Sequence, residues 1–242
     1  MSTETKTRLC AHRGLSHACP ENTLPAFSAA IALGVEEIEF DLWLSQDGVP
    51  VVCHDPKLDR TTDGVGVVTE MAWADVRKLD AGVPSGELWA GIRVPRFEEV
   101  LDCADGRVAL NIHIKDPGPD GQLVKMVCDT LKTRGLLDSA YIAGMADVLT
   151  VSRAHAPDVE RCCLAGQNAP SEQIELAIEY ECKRLQFSRK VTAEDAARAH
   201  EAGLVNNLFW SDELEDAKAY VVMGIDVILT NRANLLEGLF AE

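Results

Sequence analysis

The stretch EIEFDLWL, residues 37–44, gives the clearest indication of the fold. It is apolar apart from its acids and has the length of a typical strand. Side chains two residues apart lie on the same face of a β-strand, so Glu39 and Asp41 share one face. The pattern predicts a strand that carries two carboxylates toward the interior of a sheet.

Further apolar segments of strand length lie on both sides of this stretch. With residues 51–54 counted as an extension of the second strand, there are eight strand candidates: residues 8–11, 37–44, 108–115, 141–143, 159–164, 184–187, 204–210 and 226–230. Helical patterns occupy residues 25–33, 122–134, 171–181, 193–202 and 213–223, and another follows Asn234. This alternation predicts parallel β-α-β units, and eight units favour an α/β fold of the (β/α)₈ TIM barrel type over an open sheet.

Residues 55–100 interrupt the alternation. They contain the turn-forming pairs Asp63-Gly64 and Ala81-Gly82 and no clear β-α unit. We therefore predict a small subdomain inserted after the second strand, within one barrel that occupies residues 1–242.

Composition limits the classes of function. The 242-residue chain is 47% hydrophobic and has a net charge of −16. Such a charge repels nucleic acid and anionic lipid, so we expect neither a nucleic-acid partner nor stable membrane association. A small anionic ligand remains compatible, because one pocket can be positive on an acidic protein.

The N-terminus is polar, and no apolar run reaches the ~18 residues of a membrane span. The eight cysteines include no C-x-x-C pair, so we expect reduced thiols that lie mostly in the core. These features favour a cytoplasmic protein and leave a homo-oligomer open.

The acids of the second strand predict a metal site. Two carboxylates that face one interior repel each other unless a cation neutralises them, and oxygen ligands suit Mg²⁺ or Ca²⁺. The alternative is a solvated strand edge, with one acid pointing inward and neighbours such as Glu36 and Glu37 pointing outward.

Other polar side chains follow the strand candidates. His12-Arg13-Gly14 comes after the first strand, His54 ends the extension of the second, and His113 and Lys115 alternate along the next. Two histidines can exchange protons near neutral pH, and a lysine can hold a phosphate oxygen. Taken alone, His12 could be a core histidine and residues 20–23 a capped helix start. Together with the acids, the set predicts phosphodiester chemistry.

These residues resemble the signature of the glycerophosphodiester phosphodiesterase family, from about residue 8 to about residue 235. The similar motifs are His12-Arg13-Gly14, Pro20-Glu21-Asn22-Thr23, Glu39-Phe40-Asp41, His54-Asp55-Pro56, Leu58-Asp59-Arg60-Thr61-Thr62, Val94-Pro95, Gly224-Ile225-Asp226 and Thr230-Asn231. The resemblance implies a barrel with an inserted subdomain and the cleavage of glycerophosphodiesters to glycerol 3-phosphate and an alcohol. The nucleophile is either the neighbouring glycerol hydroxyl, through a cyclic phosphate, or water.

The resemblance also implies roles for individual residues. His12 and His54 would be the acid–base pair, Arg13 and Lys115 would hold phosphate, and Glu39 and Asp41 would bind Mg²⁺ or Ca²⁺. The family usually has a metal-binding Glu at the position of His113. If His113 coordinates instead, it favours Mn²⁺ or Zn²⁺; otherwise metal binding is weaker.

Two further departures concern the substrate. Leu208 stands where the family has a tryptophan, with Trp210 two positions later, and Asn231 stands where Asp is commoner. Three hypotheses stay open: a glycerophosphodiesterase, a related hydrolase of sugar-phosphate diesters or lysophospholipids, and, because of His113, a catalytically weakened barrel that only binds ligand.

Overall fold

The computed structural model describes residues 7–236. Eight parallel strands form a closed barrel, because β1 pairs with both the second and the last strand. The predicted (β/α)₈ barrel is confirmed. Its strands are β1 (Arg8–His12), β2 (Glu37–Leu44), β4 (Ala109–Ile114), β5 (Ala140–Gly144), β6 (Glu160–Cys163), β7 (Arg184–Ser188), β8 (Val205–Phe209) and β9 (Val227–Thr230). The short strand β3 (Pro50–Val52) pairs antiparallel with the end of β2.

Helices alternate with the barrel strands and surround them. They are α1 (Leu24–Leu33), α3 (Phe97–Ala104), α4 (Gln122–Thr133), α5 (Ala146–His155), α6 (Pro170–Glu179), α7 (Ala193–Glu201), α8 (Leu214–Met223) and α9 (Ala233–Leu236). The α1 helix has a proline in its first turn and ends at Gly34, which adopts a left-handed conformation. Of the helix predicted after Asn234, only residues up to Leu236 belong to the described part of the chain.

The apolar face of β2 forms the largest core. Ile38, Phe40 and Leu42 are fully buried and pack against Phe27 of α1 and Phe97 of α3. Because the side chains alternate, this packing directs the acids of β2 to the barrel interior. Truncating a buried phenylalanine such as Phe40 to Ala costs about 3–5 kcal/mol, so the core fixes the orientation of the strand.

Short elements fill the predicted insertion. These are the 3₁₀ helices Leu58–Arg60, Val68–Glu70, Val83–Ser85 and Glu87–Trp89 and the helix α2 (Trp73–Val76); one more 3₁₀ helix, Pro119–Gly121, precedes α4. An apolar cluster of its own includes Leu58, Val68 and Val76. The last residues of the predicted range, 97–100, lie in α3, where Phe97 and Val100 pack in the barrel core. The division into barrel and inserted subdomain stays a prediction.

All eight cysteines lie in the described range as free thiols, and six of them are buried. Between residues 7 and 236, no helix is both long enough and apolar enough to cross a membrane.

Candidate active site

The carboxyl ends of β1, β2 and β4 bring the predicted site residues to one end of the barrel. Neighbouring strands place His12 beside Glu39 and Asp41 beside His113. One cavity of about 70 Å³ is lined by all seven residues that the sequence predicted: His12, Arg13, Glu39, Asp41, His54, His113 and Lys115. A buried water needs on the order of 10–15 Å³ of such space, so the cavity has room for several waters or for a small group such as a phosphoryl group.

The acid pair is buried and not on a solvated edge. Glu39 is 3% exposed and Asp41 is 0% exposed, so the alternative of a solvated strand edge is wrong. Burial and the charge of Asp41 raise the pKa of Glu39 well above its usual value. Burial also acts to raise the pKa of Asp41, but contacts with His113 and Lys115 outweigh it and hold that pKa well below its usual value.

Glu39, Asp41 and His113 offer ligand atoms that all lie within 4.8 Å of one another. His113 Nδ1 lies 3.1 Å from Asp41 Oδ1 and 3.8 Å from Glu39 Oε1. Lys115 Nζ lies 2.9 Å from Asp41 Oδ1, yet within residues 7–236 that oxygen accepts no well-aligned hydrogen bond. Two carboxylates and a nearby imidazole nitrogen fit a divalent cation, and one carboxylate oxygen is buried and accepts no hydrogen bond that would compete with the cation.

The two histidines have different surroundings. His12 is 6% exposed; burial, followed by the charge of Arg13, lowers its pKa to about 4. Its Nε2 lies 4.0 Å from Glu39 Oε2 and its Nδ1 2.8 Å from Asn231 Oδ1. His54 is more exposed, and its Nδ1 lies 2.6 Å from the Asp55 carboxylate.

The turn after β1 requires a glycine at the position that follows His12 and Arg13. Gly14 has a φ of +77°, and a Cβ there would lie 2.6 Å from the carbonyl carbon of Ala26. Only glycine allows this close approach of the turn to α1. The turn also directs the backbone N–H of Arg13 to Glu39 Oε2, at 2.9 Å.

Asn22 contributes to the site, although the sequence placed it only in a family motif and at a helix start. Its side-chain Nδ2 donates to Asp41 Oδ2 at 2.8 Å, and its Oδ1 accepts from the Asp41 N–H at 3.3 Å. Thr23 occupies the N-cap position of α1, but its hydroxyl donates to the Pro20 carbonyl and makes no cap hydrogen bond. The segment therefore serves both as the helix start and as a support for Asp41.

Glu21 and Arg60 connect the two histidine loops. Glu21 accepts hydrogen bonds from Arg13 at 2.9 Å and from Arg60 at 2.8 Å, and Arg60 also donates to Asp55. In the sequence, Glu21 and Arg60 stand out only as positions of the family motifs. Their roles depend on loop conformations, which hydrophobic periodicity does not encode.

The loop after β8 also reaches the site. Phe209 lines the cavity and packs edge-on against His12, with ring centroids 5.2 Å apart. Trp210 is 38% exposed, and its Nε1 donates to Asp212, a residue that the sequence analysis missed. Gln167 and Gln186, which line the opposite wall, were missed as well.

Known proteins are similar to this chain over most of its length. Residues 12–235 match the model of the glycerophosphoryl diester phosphodiesterase family. A glycerophosphodiester phosphodiesterase of Caldanaerobacter subterraneus is 33% identical over 234 residues, covering 93% of this chain and 94% of the relative. The crystal structure of a glycerophosphodiester phosphodiesterase from Agrobacterium tumefaciens has a TM-score of 0.83 at 25% identity, covering 95% of this chain and 98% of that one.

An Oleispira antarctica phosphodiesterase, solved in complex with the product sn-glycerol-3-phosphate, shares the fold with a TM-score of 0.87. It is 24% identical, over 97% of each chain. The family resemblance that the sequence motifs indicated is confirmed, and the chain belongs to the glycerophosphoryl diester phosphodiesterase family.

Proposed function

We propose that this chain hydrolyses glycerophosphodiesters to glycerol 3-phosphate and an alcohol, in a reaction that depends on a divalent cation. The observation that carries the proposal is the cavity in which two histidines, two buried acids, an arginine and a lysine meet. Membership of the phosphodiesterase family supports the same reaction.

Arg13 and Lys115 would hold the phosphate. The Nε of Arg13 is buried 3.5 Å from Asp41 Oδ2 and donates no hydrogen bond to any described residue, although its Nη1 donates to Glu21. A buried donor of this kind is costly unless a ligand accepts from it, and a phosphate oxygen is a suitable acceptor. Lys115 Nζ, 3.0 Å from His113 Nδ1 and 2.9 Å from Asp41 Oδ1, adds a second positive charge.

Glu39, Asp41 and His113 would hold the cation. Burial lowers the pKa of His113, which keeps the imidazole neutral and able to coordinate through its lone pair. The oxygens suit Mg²⁺ or Ca²⁺, and the imidazole extends the choice to Mn²⁺ or Zn²⁺. A bound divalent cation would neutralise charge on the non-bridging phosphate oxygens.

His12 and His54 would transfer the protons. We assign the general base to His12, which is neutral because of its low pKa and faces the acids through Nε2. His54 would be the general acid, since the Asp55 carboxylate 2.6 Å away can stabilise a protonated ring. The proton that His12 accepts comes from the glycerol hydroxyl or from water, and ³¹P NMR of the reaction would detect the cyclic phosphate that only the first route forms.

The test is metal-stimulated release of glycerol 3-phosphate from glycerophosphocholine. We expect activity that a chelator abolishes, and a loss of about 10²–10⁴-fold in His12→Ala or His54→Ala with unchanged circular dichroism. Activity close to that of the wild type in either variant would refute the assigned roles.

A panel of diesters separates the remaining readings. Faster cleavage of sugar-phosphate diesters or lysophospholipids would favour the related hydrolases, because the same groups could act on them. Tight binding of glycerol 3-phosphate without turnover of any diester would instead favour a binding protein.

We also infer that the protein works in the cytoplasm and acts on a small molecule without stable membrane association. Eight free thiols and the absence of a membrane-spanning helix within residues 7–236 support this location. Cell fractionation tests it, and recovery of the chain in an oxidising compartment would contradict it.

A further inference from the structure

The second ring nitrogen of His12 faces a side chain that the proposed chemistry does not use. His12 Nδ1 lies 2.8 Å from Asn231 Oδ1, directly after β9. Ser16 Oγ donates to the His12 carbonyl at 2.8 Å and lies 3.1 Å from the same Asn231 oxygen. The Asn231 oxygen is therefore placed as an acceptor in front of the ring.

Asp212 fixes the orientation of the Asn231 amide. Its Oδ2 accepts from Asn231 Nδ2 at 2.8 Å, and its Oδ1 accepts from the Asn231 backbone N–H at 2.7 Å. Trp210 Nε1 and Thr230 Oγ1 each donate to the same carboxylate at 3.0 Å. A carboxylate with four donors has no proton to give, so a flipped amide would set oxygen against oxygen.

We propose that Asp212 and Asn231 are positioning residues that fix the tautomer of His12. An acceptor at Nδ1 requires the proton of the neutral ring on that nitrogen, which leaves the lone pair on Nε2. That lone pair points toward the acid pair, where the proposed reaction needs a base. This inference rests on the proposed function of His12 as a base.

The arrangement differs from that at His54. There a carboxylate contacts the ring directly, whereas at His12 a neutral amide separates the ring from Asp212. The Asn231 amide is oriented by Asp212 and in turn orients the His12 ring. It also keeps the negative charge of Asp212 away from that ring. A histidine held in this way has the correct tautomer without a carboxylate partner that would favour its protonated form.

The direct test is the ¹⁵N NMR spectrum of the imidazole rings in full-length protein. We expect the Nδ1–H tautomer for His12 in the wild type and a shift toward Nε2–H in Asp212→Asn, because the amide can then turn over. The His54 signals should stay unchanged. An unaltered His12 tautomer in Asp212→Asn would overturn the proposal.

Kinetics give the second readout. Asn231→Leu and Asp212→Asn should each lower kcat on the order of a hundredfold with KM within about twofold, since the change affects proton transfer and not binding. The exchanged variant Asp212→Asn/Asn231→Asp restores a donor at 212 and an acceptor at 231, and should recover at least tenfold of the loss. Failure of this rescue would count against the proposal.

A matched control is Asp216→Asn on α8, which accepts from Ser211 and Arg189 and has no hydrogen bond to Asn231 among the described residues. Its kcat should stay within about twofold of the wild type, and an equal loss there would point to a general effect of the loop. The NMR measurement of the tautomer needs no turnover, so the two hypotheses can fail separately. Diesterase activity that survives His12→Ala would defeat the proposed function, whereas an unchanged tautomer in Asp212→Asn would defeat only this inference.

Discussion

Strand β2 carries three acids on its interior face, and the side chains that surround these acids differ between its two ends. At the amino end, Glu37 is 0% exposed and surrounded by partners. Arg8 lies 2.8 Å from it, Arg184 lies 3.6 Å from it, and the hydroxyl of Tyr141 donates to it at 2.7 Å. At the carboxyl end, Glu39 and Asp41 are each other's neighbours.

Charge balance separates the two regions. Around Glu37, each carboxylate has an arginine, since Glu160 also pairs with Arg184. Around the cavity, four carboxylates (Glu21, Glu39, Asp41 and Asp55) meet three permanent cations (Arg13, Arg60 and Lys115). Buried acids that are matched by arginines need no further cation, whereas acids that outnumber the cations of their cavity are suited to a metal ion.

The largest expected effect is that of Glu39→Gln. The change should lower activity on the order of a thousandfold, because it removes a metal ligand and its charge. The unfolding free energy of the metal-free protein at neutral pH should stay equal or rise, since the raised pKa of Glu39 means that its charged form is disfavoured in the fold. Diester turnover and urea denaturation check both parts. If the variant is destabilised by several kcal/mol, Glu39 stabilises the fold in the same way as Glu37, and the contrast between them is wrong.

The converse variant is Glu37→Gln. The change breaks the contacts that a fully buried carboxylate makes with Arg8 and Arg184, so we expect a loss of about 3 kcal/mol of unfolding free energy. The activity of the folded variant should remain within about twofold. Glu160→Gln is the control, because its carboxylate is 31% exposed and should contribute less than ~1 kcal/mol. Unchanged stability of Glu37→Gln would remove the distinction between the two ends of β2.

Periodicity in the sequence was sufficient for the barrel and for most of the site. The β2 strand has the predicted bounds, and the rule that strand ends meet at one edge brought His12, Asp41 and His113 together. The same alternation places Glu37 inside, yet the solvated-edge alternative had placed it outside.

Contacts between loops could not be predicted in this way. Asn22 reaches Asp41 from 19 residues away, and Asn231 reaches His12 from 219 residues away. Neither pair has a periodic signal, because turns with left-handed residues such as Asn22, with a φ of 56°, set the directions of the side chains. The pairing of Glu21 with Arg60 also depends on loop conformations, so the sequence pattern did not predict it.

The raised pKa of Glu39 predicts that metal binding is coupled to a proton. In the metal-free protein Glu39 takes up a proton as pH falls through its raised pKa, and a divalent cation must displace that proton. Metal affinity should therefore rise with pH, by up to about tenfold per unit below that pKa, and level off above it. At a pH below that pKa, calorimetry in buffers of different ionisation enthalpy should detect the release of the Glu39 proton on metal binding. Glu39→Gln is the control and should release none; an equal release from it would place the proton elsewhere.

The smallest expected effect concerns His113, the one nitrogen ligand in the predicted metal site. His113→Glu would make the carboxyl end of β2 still more acidic and replace a borderline-soft donor with a hard oxygen. We expect activity to be retained, with the preference for Mg²⁺ or Ca²⁺ over Mn²⁺ or Zn²⁺ increased by about fivefold. His113→Gln offers an oxygen without the charge, so it separates the type of donor from the electrostatic effect. Metal titrations monitored by turnover and by thermal shift give the preference. Identical preferences in all three proteins would mean that His113 is not a ligand and that Glu39 and Asp41 hold the ion without it.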